Sequence, residues 1–124
     1  MRHNGKKKIL VVDDSEMVRN FHSYIIKMFG YEVGTAENGA VALEKLLTGD
    51  YQLLVTDINM PMMDGYELIR NVRENGISIP IIVVSTEEEY RSRFSGLDPS
   101  PSLHMVKPTD PEKLISTIKM LLLA

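Results

Sequence analysis

The sequence predicts an α/β domain of the (βα)5 type, in which a doubly wound parallel sheet of five strands carries helices on both faces. Short runs of branched apolar residues recur at fairly even intervals along the 124-residue chain. The segments between these runs place apolar residues three and four positions apart, which is the period of an amphipathic helix. A chain of this length is typical of one domain, so residues 1–124 are expected to fold as a single unit.

Three of the apolar runs predict central strands and two predict edge strands. Residues 9–12, 53–55 and 81–84 are apolar without interruption, as in parallel strands buried on both faces. Residues 31–35 and 103–106 alternate between apolar and polar side chains, which is typical of strands with one less buried face. The predicted strand order is therefore 2-1-3-4-5, an order shared with flavodoxin-like folds, and each crossover should be right-handed.

Apolar stripes predict the helices, and their members are expected to pack on the sheet. These residues are Met17, Val18, Phe21, Ile25 and Met28 in the first helix, Ala42, Leu43, Leu46 and Leu47 in the second, Leu68, Ile69 and Val72 in the third, and Leu114, Ile115, Ile118, Leu121 and Leu122 in the last. Asn38, Asp64 and Asp110 are predicted N-caps. His3 and His22 have no partner at ligand spacing, so both are expected at the periphery.

The fourth helix is predicted to be short. Residues 95–102 contain one glycine and two prolines, which cannot continue a helix, so the helix should end by Phe94 and an irregular loop should follow. At the other end of the chain, residues 1–7 are basic and are expected to form a tail that leads into the first strand.

Composition excludes several classes of function. The chain has no cysteine, which rules out disulfides, thiol catalysis and cysteine-based metal centres. Its formal net charge of −3 argues against direct binding to nucleic acid through phosphate contacts. The apolar runs are too short for membrane insertion, and no apolar segment follows the basic N-terminal residues as in a secretion signal. A cytoplasmic protein is expected.

Polar side chains stand where four of the predicted strands end. Asp13 and Asp14 follow the first strand, Asp57 the third, Ser85 the fourth and Lys107 the fifth. In a doubly wound sheet, ligands bind beyond the carboxyl ends of the strands, near the point where the strand order reverses. Here that point lies between the first and third strands, so these five side chains are expected to converge there.

The converging residue types predict phosphoryl-transfer chemistry. Three neighbouring carboxylates repel one another unless a cation offsets their charge, and an all-oxygen ligand set favours Mg²⁺, with Mn²⁺ as the alternative. A carboxylate beside such an ion, with a lysine and a hydroxyl directed at it, can act as a nucleophile toward phosphorus. Asp57 is the best candidate, because it stands alone on the central strand.

Five stretches at the expected spacing carry a family resemblance. They are Ile9-Leu10-Val11-Val12-Asp13-Asp14-Ser15, Ala36-Glu37-Asn38-Gly39, Asp57-Ile58-Asn59-Met60-Pro61-Met62-Met63-Asp64-Gly65, Pro80-Ile81-Ile82-Val83-Val84-Ser85 and Val106-Lys107-Pro108. Together they make the chain resemble the receiver domain of two-component response regulators. Its length is similar to that of the single-domain, chemotaxis-type receivers.

The resemblance implies a phosphoacceptor signalling switch in a phosphorelay. Asp57 would accept a phosphoryl group from a sensor histidine kinase or a phosphotransfer protein. Asp13 and Asp14 would hold Mg²⁺ together with Asp57 and the backbone carbonyl of Asn59. The domain would then change its surface toward an unidentified protein target and dephosphorylate itself, so it would be a regulatory domain rather than a turnover enzyme.

Further roles follow from the same resemblance. Ser85, where the family more often has Thr, would donate its hydroxyl to the phosphoryl group, and Lys107 would pair with that group and precede a cis peptide bond. The aromatic switch position of the family is occupied by His104, whose imidazole could rotate as Phe or Tyr does or could make the switch depend on pH. Asn59 and Glu87, two positions after the acceptor and the hydroxyl, would tune dephosphorylation.

Three alternatives stand beside this interpretation. A phosphatase with an aspartate nucleophile typically has Asp-x-Asp after the first strand and a cap domain, whereas this chain has Asp13-Asp14-Ser15. A pseudo-receiver that binds partners without phosphorylation would lack the acid pair, the acceptor or the lysine. A flavin-binding module would require a phosphate-binding loop after the first strand, where this chain has two acids.

Overall fold

The computed structural model describes residues 5–94 and 101–123, and within them it shows five strands and five helices. Residues 1–4 of the predicted tail, which include His3, and residues 95–100 of the predicted loop lie outside the described residues. In chain order the elements are β1 (Lys8–Val12), α1 (Glu16–Met28), β2 (Glu32–Ala36), α2 (Gly39–Thr48), β3 (Leu53–Asp57), α3 (Gly65–Glu74), β4 (Ile81–Ser85), α4 (Glu87–Phe94), β5 (Leu103–Val106) and α5 (Pro111–Leu123).

The sheet has the predicted order β2-β1-β3-β4-β5, and every adjacent pair is parallel. All residues of β3 and β4 are buried, whereas β2 and β5 are mostly half-buried, as expected for central and edge strands. Among the described residues, no helix combines the length and the apolar character that a bilayer crossing requires.

The sheet separates two apolar layers, because alternate side chains of a strand point to opposite faces. On one face, Leu10 and Leu54 pack with residues of α2, α3 and α4. On the other face, Ile9 and Leu53 pack with residues of α1 and α5. The carboxyl ends of β1, β3 and β4 therefore open at one edge of a doubly covered sheet, where the functional side chains gather.

The buried face of α1 differs from the prediction. Of the predicted stripe, Met17, Phe21 and Met28 are exposed by 80%, 48% and 65%, and Ile25 is buried. The helix packs on the sheet through His22, Ser23, Ile25 and Ile26. The expectation that His22 lies at the periphery is thus wrong. The exposed apolar side chains repeat with the same helical period as the buried ones, so periodicity does not distinguish the two faces.

The other helices follow the prediction with one exception. Leu47 is 51% exposed, because α2 packs mainly through Ala42 and Leu46. Two of the predicted caps are present in full: the side chains of Asn38 and Asp64 each accept a backbone N–H from the first turn of their helices. The described part of the fourth helix runs from Glu87 to Phe94, and the predicted end of this helix stays a prediction because residues 95–100 lie outside the described residues.

Candidate functional site

Three carboxylates meet at the edge of the sheet. Carboxylate oxygens of Asp13, Asp14 and Asp57 lie within 4.8 Å of one another. Asp13 and Asp57 are buried, with 3% and 5% exposure, whereas Asp14 is exposed. The β1–α1 connection is fixed locally, because the Ser15 N–H donates to Asp13 Oδ1 over 2.9 Å and the Ser15 hydroxyl caps α1. This combination of buried and exposed carboxylates matches a hard divalent cation that keeps some of its water.

Two hydrogen bonds to one oxygen hold the Asp57 carboxylate in place, while burial and the charge of Asp13 disfavour its ionised form. The Ile58 N–H donates to its Oδ1 over 2.8 Å, and the Lys107 ammonium donates to the same oxygen over 3.2 Å. Burial raises the pKa of Asp57, the charge of Asp13 raises it further, and Lys107 opposes both effects. Lys107 does not outweigh burial and the charge of Asp13, because the pKa of Asp57 stays raised, so the three neighbouring acids fit an added cation.

Lys107 comes from the connection after β5, and its backbone N–H donates to the Ser85 carbonyl over 3.0 Å. The peptide bond between Lys107 and Pro108 is cis, as predicted. Burial acts to lower the pKa of Lys107, but the charge and the hydrogen bond of Asp57 outweigh it, so that the pKa is raised. The side chain is therefore a permanent cation at the site.

The backbone of Asp57 and Ile58 packs closely against the start of α3. The Gly65 N–H donates to the Ile58 carbonyl over 2.7 Å. A Cβ at Gly65 would collide with the Asp57 carbonyl oxygen and lie 2.9 Å from the Ile58 Cα. Only glycine therefore lets the start of α3 approach so closely, and this approach helps to fix the acceptor strand end.

A second group of side chains forms around Ser85. The Ser85 side chain is fully buried; its Oγ lies 3.1 Å from the Thr86 carbonyl oxygen, which can accept its proton, and 2.9 Å from His104 Nε2. The His104 ring stacks on Tyr90, with centroids 3.9 Å apart and an interplanar angle of 6°. Tyr90 stacks in turn on Phe94, which meets Tyr66 edge to face. The predicted hydroxyl and the predicted switch residue thus contact each other directly.

The acidic residue that reaches Asn59 is Glu89. Asn59 Nδ2 donates to Glu89 Oε2 over 2.7 Å. Glu89 also forms a capping box with Thr86, since each accepts the other's backbone N–H over 3.1 Å. The hydrogen bond from the Thr86 N–H is the main cause of a lowered Glu89 pKa, to which the Asn59 amide and the Lys107 charge contribute. Glu87 instead pairs with Arg91 over 3.7 Å on the exposed side of α4.

Two residues that the sequence interpretation missed therefore belong to the site. Glu89 had a signal in the sequence, because Thr86 followed three positions later by Glu is the pattern of a capping box. Tyr90 had no such signal in the sequence, because its contact with His104 depends on the orientation in which α4 packs against β5.

A groove of ~510 Å³ runs beside Lys107, between α1 and the β5–α5 connection. Phe21 and His22 contribute from α1, and Pro108 and Thr109 contribute from the connection. Burial lowers the pKa of His22, partly offset by the charge of Asp13. The neutral imidazole is therefore the favoured form beneath the groove.

Comparison with known proteins identifies the family. Residues 9–119 match the family described as the response regulator receiver domain. The chain belongs to this family, whose members are phosphoacceptor switches of two-component systems and use Mg²⁺.

Relatives and solved structures agree with this assignment. The chain is 34% identical to the alkaline phosphatase synthesis transcriptional regulatory protein PhoP of Bacillus subtilis, over 94% of this chain and 48% of PhoP. It spans about half the length of the curated relatives it matches.

Two solved structures superpose closely. The chemotaxis response regulator CheY4 of Vibrio cholerae matches with a TM-score of 0.85 and 33% identity, over 94% of this chain and 98% of CheY4. The response regulator TrrA of Thermotoga maritima, solved in complex with Mg²⁺ and BeF, matches with a TM-score of 0.83 and 35% identity, over 93% of this chain and 98% of TrrA.

Proposed function

We propose that this chain acts as a phosphoacceptor switch in which Asp57 takes the phosphoryl group. The donor would be a phosphohistidine of a sensor histidine kinase or of a phosphotransfer protein. The observation that carries the proposal is the buried Asp57 carboxylate at the end of the central strand, with the Lys107 ammonium 3.2 Å from its Oδ1. The domain would regulate a protein target rather than turn over a substrate.

In the proposed transfer, an Asp57 carboxylate oxygen attacks phosphorus, and the P–N bond of the phosphohistidine breaks. The bonding electron pair leaves with the imidazole nitrogen, and an acyl phosphate remains on Asp57. Among the described residues, the Ile58 N–H and the Lys107 ammonium both donate to Oδ1, so attack by a lone pair of Oδ2 breaks neither hydrogen bond. Lys107 offsets the negative charge on the transferring group, and Ser85 donates its hydroxyl to a phosphoryl oxygen.

Asp13, Asp14, Asp57 and the backbone carbonyl of Asn59 would hold Mg²⁺, or Mn²⁺ in its place. The proximity of the three carboxylates and the raised pKa of Asp57 support this ligand set. When bound, the ion would neutralise charge on the phosphoryl oxygens. Lys107 supplies one positive charge beside the three carboxylates.

Self-dephosphorylation would follow from attack of water on the acyl phosphate. We assign tuning of this step to Asn59 together with an acidic side chain of α4. Glu87 is the residue implied by the family pattern, and the 2.7 Å hydrogen bond of Asn59 supports Glu89 as a second one. The single-domain character of the chain, its output target and its cytoplasmic location remain predictions.

Intact mass measurement after incubation with acetyl phosphate and Mg²⁺ tests the proposal. Wild type should gain the mass of one phosphoryl group, whereas EDTA or the substitution Asp57→Asn should prevent the gain. The matched control is Glu44→Gln, an exposed acid on α2, which should be labelled like wild type. Full labelling of the Asp57→Asn variant would refute the assignment.

A further inference from the structure

The buried Ser85 hydroxyl is shared between two neighbours of different kinds. Its Oγ lies 3.1 Å from the Thr86 carbonyl oxygen and 2.9 Å from His104 Nε2. The carbonyl oxygen can only accept a hydrogen bond, whereas an imidazole nitrogen donates or accepts according to its protonation. A serine hydroxyl has one proton, so the direction of the bond to His104 depends on where that proton points.

Two arrangements satisfy this geometry when the site holds no phosphoryl group. In one, Ser85 donates to the Thr86 carbonyl, and His104 Nε2–H donates to Ser85 Oγ. In the other, Ser85 donates to an unprotonated Nε2. A phosphoryl oxygen is itself an acceptor, so a Ser85 hydroxyl that donates to it has no proton left for His104. Only a protonated Nε2 then keeps the hydrogen bond between the two side chains.

We propose that His104 is a positioning residue, which donates from Nε2–H to Ser85 Oγ and thereby directs the Ser85 proton toward the phosphoryl group. The inference rests on the proposed function, because it requires Ser85 to contact a phosphoryl group on Asp57. Phosphorylation would select the form of His104 that carries a proton on Nε2. A Phe ring, which has no donor, would leave the Ser85 hydroxyl without that constraint.

The stack on Tyr90 makes this role geometrically specific. The two rings are nearly parallel, at 6°, and their centroids are 3.9 Å apart. Rotation of the imidazole away from Ser85 would break this face-to-face contact, and Tyr90 is held on its own account by Phe94 at 5.1 Å. The stack therefore holds the plane of the imidazole beside Ser85, and the 2.9 Å contact places Nε2 at the edge that faces Oγ.

Nitrogen NMR of the His104 ring tests the hydrogen-bond direction. Protein labelled with ¹⁵N would be compared with and without Mg²⁺ and beryllofluoride, a mimic of the phosphoryl group. The expected result is a protonated Nε2 in the loaded protein, either as the neutral Nε2–H tautomer or as the imidazolium. An unprotonated Nε2 in the loaded protein would overturn the inference, whereas labelling of Asp57 by acetyl phosphate would leave the proposed function intact.

Substitutions separate positioning from a merely structural role. His104→Phe keeps a ring for the stack but removes the donor, so labelling by acetyl phosphate should slow by about fivefold, the scale of one hydrogen bond. His104→Gln offers an amide N–H and should recover most of the rate. In a Ser85→Ala background, His104→Phe should cause no further loss.

Each outcome decides the inference. An equal loss from His104→Phe with and without the Ser85 hydroxyl would show that His104 does not act through Ser85. A wild-type rate in His104→Phe would overturn the inference as well. Absence of any labelling in wild type would refute the proposed function, and this inference with it, so the two failures are distinguishable.

Discussion

The two sides of the site satisfy their polar groups in opposite ways. On the carboxylate side, formed by Asp13, Asp14 and Asp57, like charges crowd together, and the Lys107 ammonium offsets part of them. On the switch side, formed by Ser85, His104 and Tyr90, hydrogen bonds and ring stacking satisfy the groups within the protein. The first side therefore requires ions from outside, whereas the second is already assembled and can respond when the first is occupied.

This difference predicts that the two sides can be perturbed separately. Phe94 is buried under Tyr90 and Tyr66 on the switch side, so Phe94→Ala should lower the free energy of unfolding by about 3 kcal/mol. Affinity for Mg²⁺ should stay within about twofold of wild type, because no carboxylate moves. Urea denaturation and calorimetric Mg²⁺ titration measure the two quantities.

The control for that substitution is Phe29→Ala, which removes an exposed ring that contacts Lys119 and should cost well below about 1 kcal/mol. A strong loss of Mg²⁺ affinity in Phe94→Ala would show that the two sides are not separable.

The converse perturbation is Asp14→Ala on the carboxylate side. Asp14 is exposed, so its loss should change folding stability little while Mg²⁺ affinity falls tenfold or more, which is about 1.4 kcal/mol. Isothermal titration calorimetry measures the affinity. Glu16→Ala removes an exposed acid two residues further along and serves as the matched control. Equal Mg²⁺ affinity in wild type and Asp14→Ala would contradict the ligand role.

The crowded charges on the carboxylate side should also cost stability when no metal is present. Asp57→Asn removes a buried anion, so thermal unfolding in EDTA should occur at a temperature higher by several degrees, equivalent to about 1 kcal/mol. Burial raises the folded pKa of Asp57, so its contribution to stability is present below the unfolded pKa and is lost as the pH rises through the folded pKa.

The advantage of Asp57→Asn should therefore be greatest near neutral pH and should shrink in acid. The exposed acid Glu44, changed to Gln, should shift the unfolding temperature little at any pH. A lower unfolding temperature for Asp57→Asn at neutral pH would mean that the carboxylate stabilises the fold.

The smallest expected effect concerns His22, which lies under the groove beside Lys107. Burial lowers its folded pKa, so its contribution is complete above the unfolded pKa of about 6.5 and is lost as the pH falls toward the folded pKa. Between about pH 7.5 and 5.5, wild type should lose about 0.5 kcal/mol more than His22→Leu, as measured by urea denaturation. Parallel pH profiles for the two proteins would show that His22 is not held neutral.

The fold could be predicted because its signals are local and mutually consistent. Uninterrupted apolar runs identify β3 and β4 as central strands, and helix caps such as Asn38 and Asp64 mark where helices begin. The site residues could be predicted for a related reason. In a parallel sheet, the residues that follow the strands must converge at one edge, so strand ends alone place Asp57 near Lys107.

The wrong and missed predictions concern contacts that depend on how each helix is oriented about its own axis relative to the sheet. The two apolar stripes of α1 have the same period, so nothing local shows that His22 faces the sheet and Met17 faces outward. The approach of Glu89 to Asn59 and the stack of Tyr90 on His104 likewise depend on the position of α4. Such contacts join residues far apart in sequence and leave no periodic signal.

Chemical identification of the phosphorylated residue tests the central claim most directly. Borohydride reduces an acyl phosphate of aspartate to homoserine, and peptide mass spectrometry locates the new residue. After acetyl phosphate, Mg²⁺ and borohydride, the account predicts homoserine at position 57, with Asp13 and Asp14 unchanged. Homoserine at position 13 or 14, or a stable phosphoryl group on Ser85, would contradict it.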